Sequence, residues 1–95
     1  METIVINNRI YEIVKDYRDA LKIDNLEDKI TDYFYDFDYI LGDYAYGKVR
    51  LKGFNSKNNK NYKDINDIEK IDEYINENCA YNCRYFILKF LSVEK

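Results

Sequence analysis

Runs of alternating and helically spaced apolar residues divide the chain into short elements. Thr3-Ile4-Val5-Ile6 is a β-branched run, and Asn7-Asn8 follows it. Asparagine tolerates left-handed backbone, so the pair predicts a two-residue hairpin turn into a second strand over Arg9 to Lys15. In that strand Ile10, Glu12 and Val14 share one face, and Arg9, Tyr11, Ile13 and Lys15 the other. Neither face is apolar throughout. Asp16 is placed to cap a short helical turn over Tyr17 to Leu21.

A helical stripe comes next. Leu26, Ile30, Tyr33, Phe34 and Phe37 recur at helical spacing, with Glu27, Asp28, Lys29 and Asp32 on the opposite side. Asn25 is a candidate N-cap, followed by acidic residues in the first turn. Strands are expected at Asp38 to Leu41 and Lys48 to Phe54. Between them the glycine-bounded Gly42-Asp43-Tyr44-Ala45-Tyr46-Gly47 reads as a connecting hairpin loop.

Residues 55–66 are polar and aperiodic, which predicts a flexible surface loop. Asp67 is a candidate cap for a second helix with Ile68, Ile71, Tyr74 and Ile75 on one face, fading near Asn76 to Asn78. Cys79 to Cys83 reads as a connector, and Arg84 to Leu91 as the last strand. Phe86, Leu88 and Phe90 mark the core side of that strand. The expected fold is α+β: a mostly antiparallel sheet of four to five strands with two main helices packed on one face. At 95 residues the chain makes a single domain, 1–95.

Composition removes chemistries. Histidine, proline and tryptophan are absent, and glutamine does not occur either. Without histidine there is no Ser-His-Asp or Cys-His nucleophile system and no imidazole metal ligand. Gly42, Gly47 and Gly53 match neither dinucleotide-binding nor phosphate-loop spacing. The wealth of Asn, Lys, Ile and Tyr fits AT-rich coding, so a tyrosine-rich face is less surprising here than in an average chain.

The net charge of -3 argues against a broad nucleic-acid-wrapping surface but leaves room for a local basic patch. There is no basic stretch leading into a long apolar run at the N-terminus. We therefore expect a cytoplasmic protein with reduced thiols and no membrane contact. The oligomeric state is not encoded in any of these patterns.

Four groups of residues invite a chemical reading. On the strand from Tyr46 to Phe54, alternation places Tyr46, Lys48, Arg50, Lys52 and Phe54 on one face, and Val49 and Leu51 on the core side. Cations contact phosphates and rings stack on unpaired bases, so this face suits salt-sensitive contact with RNA or a ribosomal particle. The bland alternative is a solvated sheet face. The Gly42-to-Gly47 loop, with Asp43, Tyr44 and Tyr46, suits either a protein-interaction adaptor or plain turn geometry. Cys79 and Cys83 are half of a metal site and read better as packing thiols, so no metal and no cofactor is expected. The carboxylates Asp36, Asp38, Asp64, Asp67, Glu69, Asp72 and Glu73 could serve acid–base catalysis or hold magnesium only in a cleft, which nothing in the sequence locates, and Glu69, Asp72 and Glu73 read as a solvated helix face. A non-enzymatic binding module follows.

The segment Asp38-Tyr39-Ile40-Leu41-Gly42-Asp43-Tyr44-Ala45-Tyr46-Gly47-Lys48-Val49-Arg50-Leu51-Lys52-Gly53-Phe54 resembles the signature of the YutD-like family of small bacterial proteins of unknown function. Tyr11 to Arg18, Ile71 to Ile75 and Cys79 to Leu88 extend the resemblance in the same order over most of the chain. This chain departs from it at Tyr44-Ala45, where the family carries Trp-Gly, and at Lys48, where glutamine is frequent. The resemblance implies a cytosolic bacterial protein and transfers no catalytic residue.

Overall fold

The computed structural model describes residues 1–45, 47–78 and 83–94. Five strands form one sheet: β1 (Thr3–Ile6), β2 (Arg9–Tyr17), β3 (Tyr39–Ala45), β4 (Lys48–Phe54) and β5 (Tyr85–Val93). Their order is β1-β2-β5-β3-β4, and every neighbouring pair is antiparallel. Two helices accompany them, α1 (Leu26–Lys29) and α2 (Ile71–Asn78). The class is α+β.

The last strand is the central one. A strand covered on both faces needs a continuous apolar run rather than an alternating one, and Phe86, Ile87 and Leu88 are all buried. The sequence pattern singled out Phe86 and Leu88 as core. Ile87, on the other face, is only 9% exposed because α2 covers it.

The helices lie on opposite faces of the sheet, not on one. Leu26, Ile30 and Phe34 pack with Ile6, Tyr11, Ile40, Phe86 and Leu88. Ile68, Ile71, Tyr74 and Ile75 pack against Leu41, Phe54 and Ile87. Tyr74 meets Phe54 edge-to-face, with centroids 5.7 Å apart. The β1–β2 half of the α2 side lies outside this cluster, and Val5 and Val14 stay exposed.

The first helix is also much shorter than its stripe suggests. α1 stops after one turn, and a 3-10 turn over Asp32–Asp36 follows. The reason is tertiary. Asn7 Nδ2, in the β1–β2 turn, donates to the Glu27 and Ile30 carbonyls at 2.8 and 2.9 Å. It takes carbonyls at the end of the helix, which a longer helix would need for itself. Leu26, Ile30 and Phe34 still reach the core, whereas Tyr33 is 69% exposed. Asn25 is left-handed and makes no side-chain cap.

Turn expectations divide. Asn7 and Asn8 both have positive φ, 53° and 63°, as a two-residue hairpin turn requires. No helical turn forms after β2. Arg18 and Asp19 are left-handed, at φ 61° and 57°, and Asp16 Oδ1 instead accepts from the Leu21 N–H at 3.1 Å. Asp67 does cap, accepting from the Glu69 N–H at 2.9 Å, but it opens a 3-10 turn (Ile68–Lys70) before α2 begins.

Residues 55–66 are organised by side chains in a way their composition did not predict. Asn55 is fully buried. Its Oδ1 accepts from the Asp38 N–H at 2.7 Å and from Asn59 Nδ2 at 3.1 Å. Asp38 accepts from the Ser56 N–H and hydroxyl and from Asn59 Nδ2. Tyr62 donates to Asp67 at 2.8 Å. This network replaces apolar anchoring with satisfied polar groups.

Candidate functional site

The family-like segment builds the β3–β4 pair. Ala45 pairs with Lys48, so Gly42 to Ala45 are strand rather than part of a six-residue loop. Gly42, Asp43 and Tyr44 belong to β3. Gly47 has φ +76°, which explains that glycine. Gly42 has a different reason: a Cβ there would lie 2.2 Å from Phe86 Cζ, because the ring lies over its Cα. Tyr46 lies outside the described residues, as does Cys79. Cys83 is disulfide-bonded rather than the reduced thiol expected. The compartment argument behind that expectation concerns redox poise and says nothing about local geometry.

Asp43 is 3% exposed and faces Arg50 across the pair. Arg50 Nε donates to Asp43 Oδ1 at 3.1 Å and Nη2 to Oδ2 at 2.9 Å. Such a two-pronged match suits the planar guanidinium and satisfies the buried carboxylate. Nη2 also donates to the Asn78 carbonyl at 3.0 Å. No basic residue stands in the last turn of α2. Arg50 supplies the missing cation at that helix end, where carbonyls are unsatisfied.

The remaining residues of the cationic face divide by position. Lys48 is exposed. Lys52 is half-buried, lies 5.3 and 5.4 Å from the Phe54 and Tyr74 ring centroids, and donates to Asn66 Oδ1 at 3.1 Å. Phe54 is 1% exposed beneath α2. Alternation thus places Lys48, Arg50, Lys52 and Phe54 on one side as expected, and Val49 and Leu51 pack toward the opposite core. The side they share is the one α2 covers.

Tyr44 turns to the other side. Its hydroxyl donates to the Ala20 carbonyl at 2.8 Å, and the Arg84 guanidinium lies 4.5 Å from its ring centroid. Arg84 donates to the Arg18 and Asp19 carbonyls at 3.3 and 3.0 Å. Tyr44 and Arg84 together hold the left-handed turn after β2. The sequence reading did not find Arg84. Its only signal is a cation just before an apolar strand, and the carbonyls it serves lie more than sixty residues away.

Open clefts lie beside this pair. One, of about 450 Å³, is lined by Tyr33, Asp36, Phe37, Lys60, Asn61, Tyr62, Lys63 and Asn66. Another, of about 420 Å³, touches the site at Phe54 and Tyr74 and is otherwise lined by Asp64, Ile65, Lys70, Glu73 and Glu77. Among the described residues no three Cys, Asp or Glu side chains gather as a metal-binding group. No described helix is long and apolar enough to cross a membrane.

Comparison with known proteins agrees with the residue pattern. A family model described as "Putative antitoxin YutD-like" matches residues 5–89. The chain is 37% identical over 86 residues to "Putative antitoxin YutD" of Bacillus subtilis (strain 168), covering 90% of this chain and 94% of that protein. It also resembles the solution NMR structure of protein yutD from B. subtilis. There the TM-score is 0.78 and the identity 34%, over all of this chain and 87% of the other. With strand order, glycine packing and the Asp43–Arg50 pair set on the segment that carries the likeness, the chain belongs to the YutD-like family.

Proposed function

We propose that this chain is a protein-binding module that holds a partner protein inactive, the sense that the word antitoxin in the family description carries. The observation that supports this reading is the use made of the cationic strand face. A single-stranded RNA platform needs open rings for bases to stack on. Phe54 is instead buried under α2, Lys52 lies against Phe54 and Tyr74, and Arg50 is committed to Asp43 and the end of α2. What stays open beside the family segment is a strand edge with scattered cations, a surface better suited to a polypeptide than to a nucleic acid.

Capture of tagged protein at native level, at low and high salt and with and without ribonuclease, tests the reading. We expect one protein in stoichiometric amount that survives both treatments, because apolar and main-chain contacts are not screened as phosphate contacts are. Expressed alone, that protein should impair growth, and co-expression of this chain should relieve it. Comigration with ribosomal particles that disperses at high salt would overturn the reading in favour of electrostatic RNA contact through Lys48 and its neighbours.

A further inference from the structure

We infer that the outer edge of β4 is a strand-docking site for an extended, acidic segment of a partner protein, an inference that rests on the protein-binding reading above. Among the described residues β4 is the last strand of the sheet, so one of its edges has no described strand beside it. Which main-chain groups face that edge follows from hydrogen bonds at its end. The Asn55 N–H donates to the Asn66 carbonyl at 2.7 Å, and the Asn55 carbonyl accepts from the Ile68 N–H at 3.0 Å. Asn55 therefore turns its main chain away from β3. Main-chain direction alternates along a strand, so Gly53, Leu51 and Val49 also turn outward.

The other side of the sheet agrees. The Phe90 N–H donates to the Asp38 carbonyl at 2.8 Å, which makes Tyr39 and Lys89 a non-hydrogen-bonded pair. Tyr39 then bonds toward Phe54 on β4, and Lys52 and Arg50 bond inward in the same phase. Val49 and Leu51 thus offer main-chain donors and acceptors, and buried Gly53 separates them from Asn55. The bridge between Asn55 and Asp67 shows that this edge already accepts a main-chain partner one step further along.

Side chains define the occupant. Lys48 and Lys52 form no ion pair among the described residues. They lie four residues apart on one side of the strand, about 13 Å. Val49 and Leu51 are half-buried on the other side. An incoming strand with acidic residues at positions i and i+4, and apolar residues at i+1 and i+3, meets all four. A second copy docking antiparallel by the same edge would set cations beside cations, which is unfavourable. Strand addition of this kind draws affinity from the main chain and selectivity from alternate side chains.

Amide exchange by NMR tests the site, with an extended peptide repeating Glu-Val-Thr-Val as probe and a Lys-Val-Thr-Val repeat as control. In the free protein the Val49 and Leu51 amides should exchange quickly, and those of Arg50 and Lys52 slowly. The acidic probe, at about ten times its dissociation constant, should slow the first two by about tenfold. Lys48→Glu/Lys52→Glu should transfer that effect to the lysine repeat. Val49→Pro, which removes an outward N–H without touching a β3 bond, should lose it. If Val49→Pro does not fold, the double charge variant, whose main chain is intact, decides. No slowing up to the solubility limit, or equal slowing by both repeats, overturns the inference. A captured protein that binds both variants as well as the parent also overturns it and leaves the protein-binding reading standing. Peptide docking without any captured partner does the reverse.

Discussion

Asp43 and Arg50 face each other across β3 and β4, and both carboxylate oxygens accept from one guanidinium, at 3.1 and 2.9 Å. The pair joins two roles that look separate in the sequence. It satisfies a buried carboxylate, and through the Asn78 carbonyl it ties α2 to the sheet. Reversing all three strand cations would therefore break the fold as well as any binding surface. Lys48 and Lys52 are the residues to reverse.

Arg50→Ala should lower stability by about 1–3 kcal/mol, because it leaves the Asp43 carboxylate buried without its donor. Asp43→Asn in that background should recover part of the loss. Urea denaturation of both single variants and the double gives the coupling. Strictly additive losses would show that the two side chains do not act together.

Gly42→Ala should destabilise by about 1–3 kcal/mol through overpacking against Phe86. Thermal melts measure it. A second substitution, Phe86→Leu, should relieve the clash, so Gly42→Ala should cost less in that background than in the parent. An equal cost in both would separate Gly42 from the ring.

Asn55→Ala should loosen residues 55–66. It removes the acceptor for the Asp38 N–H and for Asn59 Nδ2 at a fully buried position. A cost of about 1–3 kcal/mol follows from leaving buried groups unpaired. Limited proteolysis should cut the variant within 55–66 faster than the parent. Equally fast cutting of the parent would mean that the side-chain network does not hold this segment.

Tyr62 and Asp67 should produce a linked pH dependence. The Glu69 N–H, and then the Tyr62 hydroxyl, hold the Asp67 carboxyl below its usual range. Asp67 chiefly, through the hydrogen bond it accepts, pushes the Tyr62 hydroxyl up. A carboxyl depressed by folding adds stability that is complete above about pH 4, its unfolded value, and is lost as pH falls through the folded one. A raised tyrosine adds stability that is complete below about pH 10, its unfolded value, and is lost as pH rises through the folded one. Tyr62→Phe should therefore shift the acid limb of the urea midpoint to higher pH and abolish the tyrosine share of the alkaline decline. Superimposable limbs for variant and parent would remove the linkage.

Much of the fold was readable in advance because it depends on neighbours in sequence. The Asn7-Asn8 turn, the Asp67 cap, the core side of Phe86 and Leu88, and the inward Val49 and Leu51 all follow from local backbone preference or period-two alternation. The family segment was readable for the same reason, since its residues are contiguous. The candidate site was legible only as a face. Alternation grouped Lys48, Arg50, Lys52 and Phe54, but it carries no information about what lies above that face.

Residue order alone thus determined the presence of the strands, the Asn7-Asn8 turn, the α+β class and the sides taken by Val49, Leu51, Phe86 and Leu88. Those choices rest on φ/ψ preference and side-chain period, which act over a few residues. Only the tertiary structure decided the rest. Placing β5 between β2 and β3 buried it on both faces, and that put α2 and the α1 segment on opposite sides of the sheet. Asn7 ended the first helix from twenty residues away, Asp43 claimed Arg50, and Phe54 went under Tyr74. Each is a contact between segments whose meeting depends on the whole sheet. Among the described residues, the same assembly left the outer edge of β4 without a strand beside it.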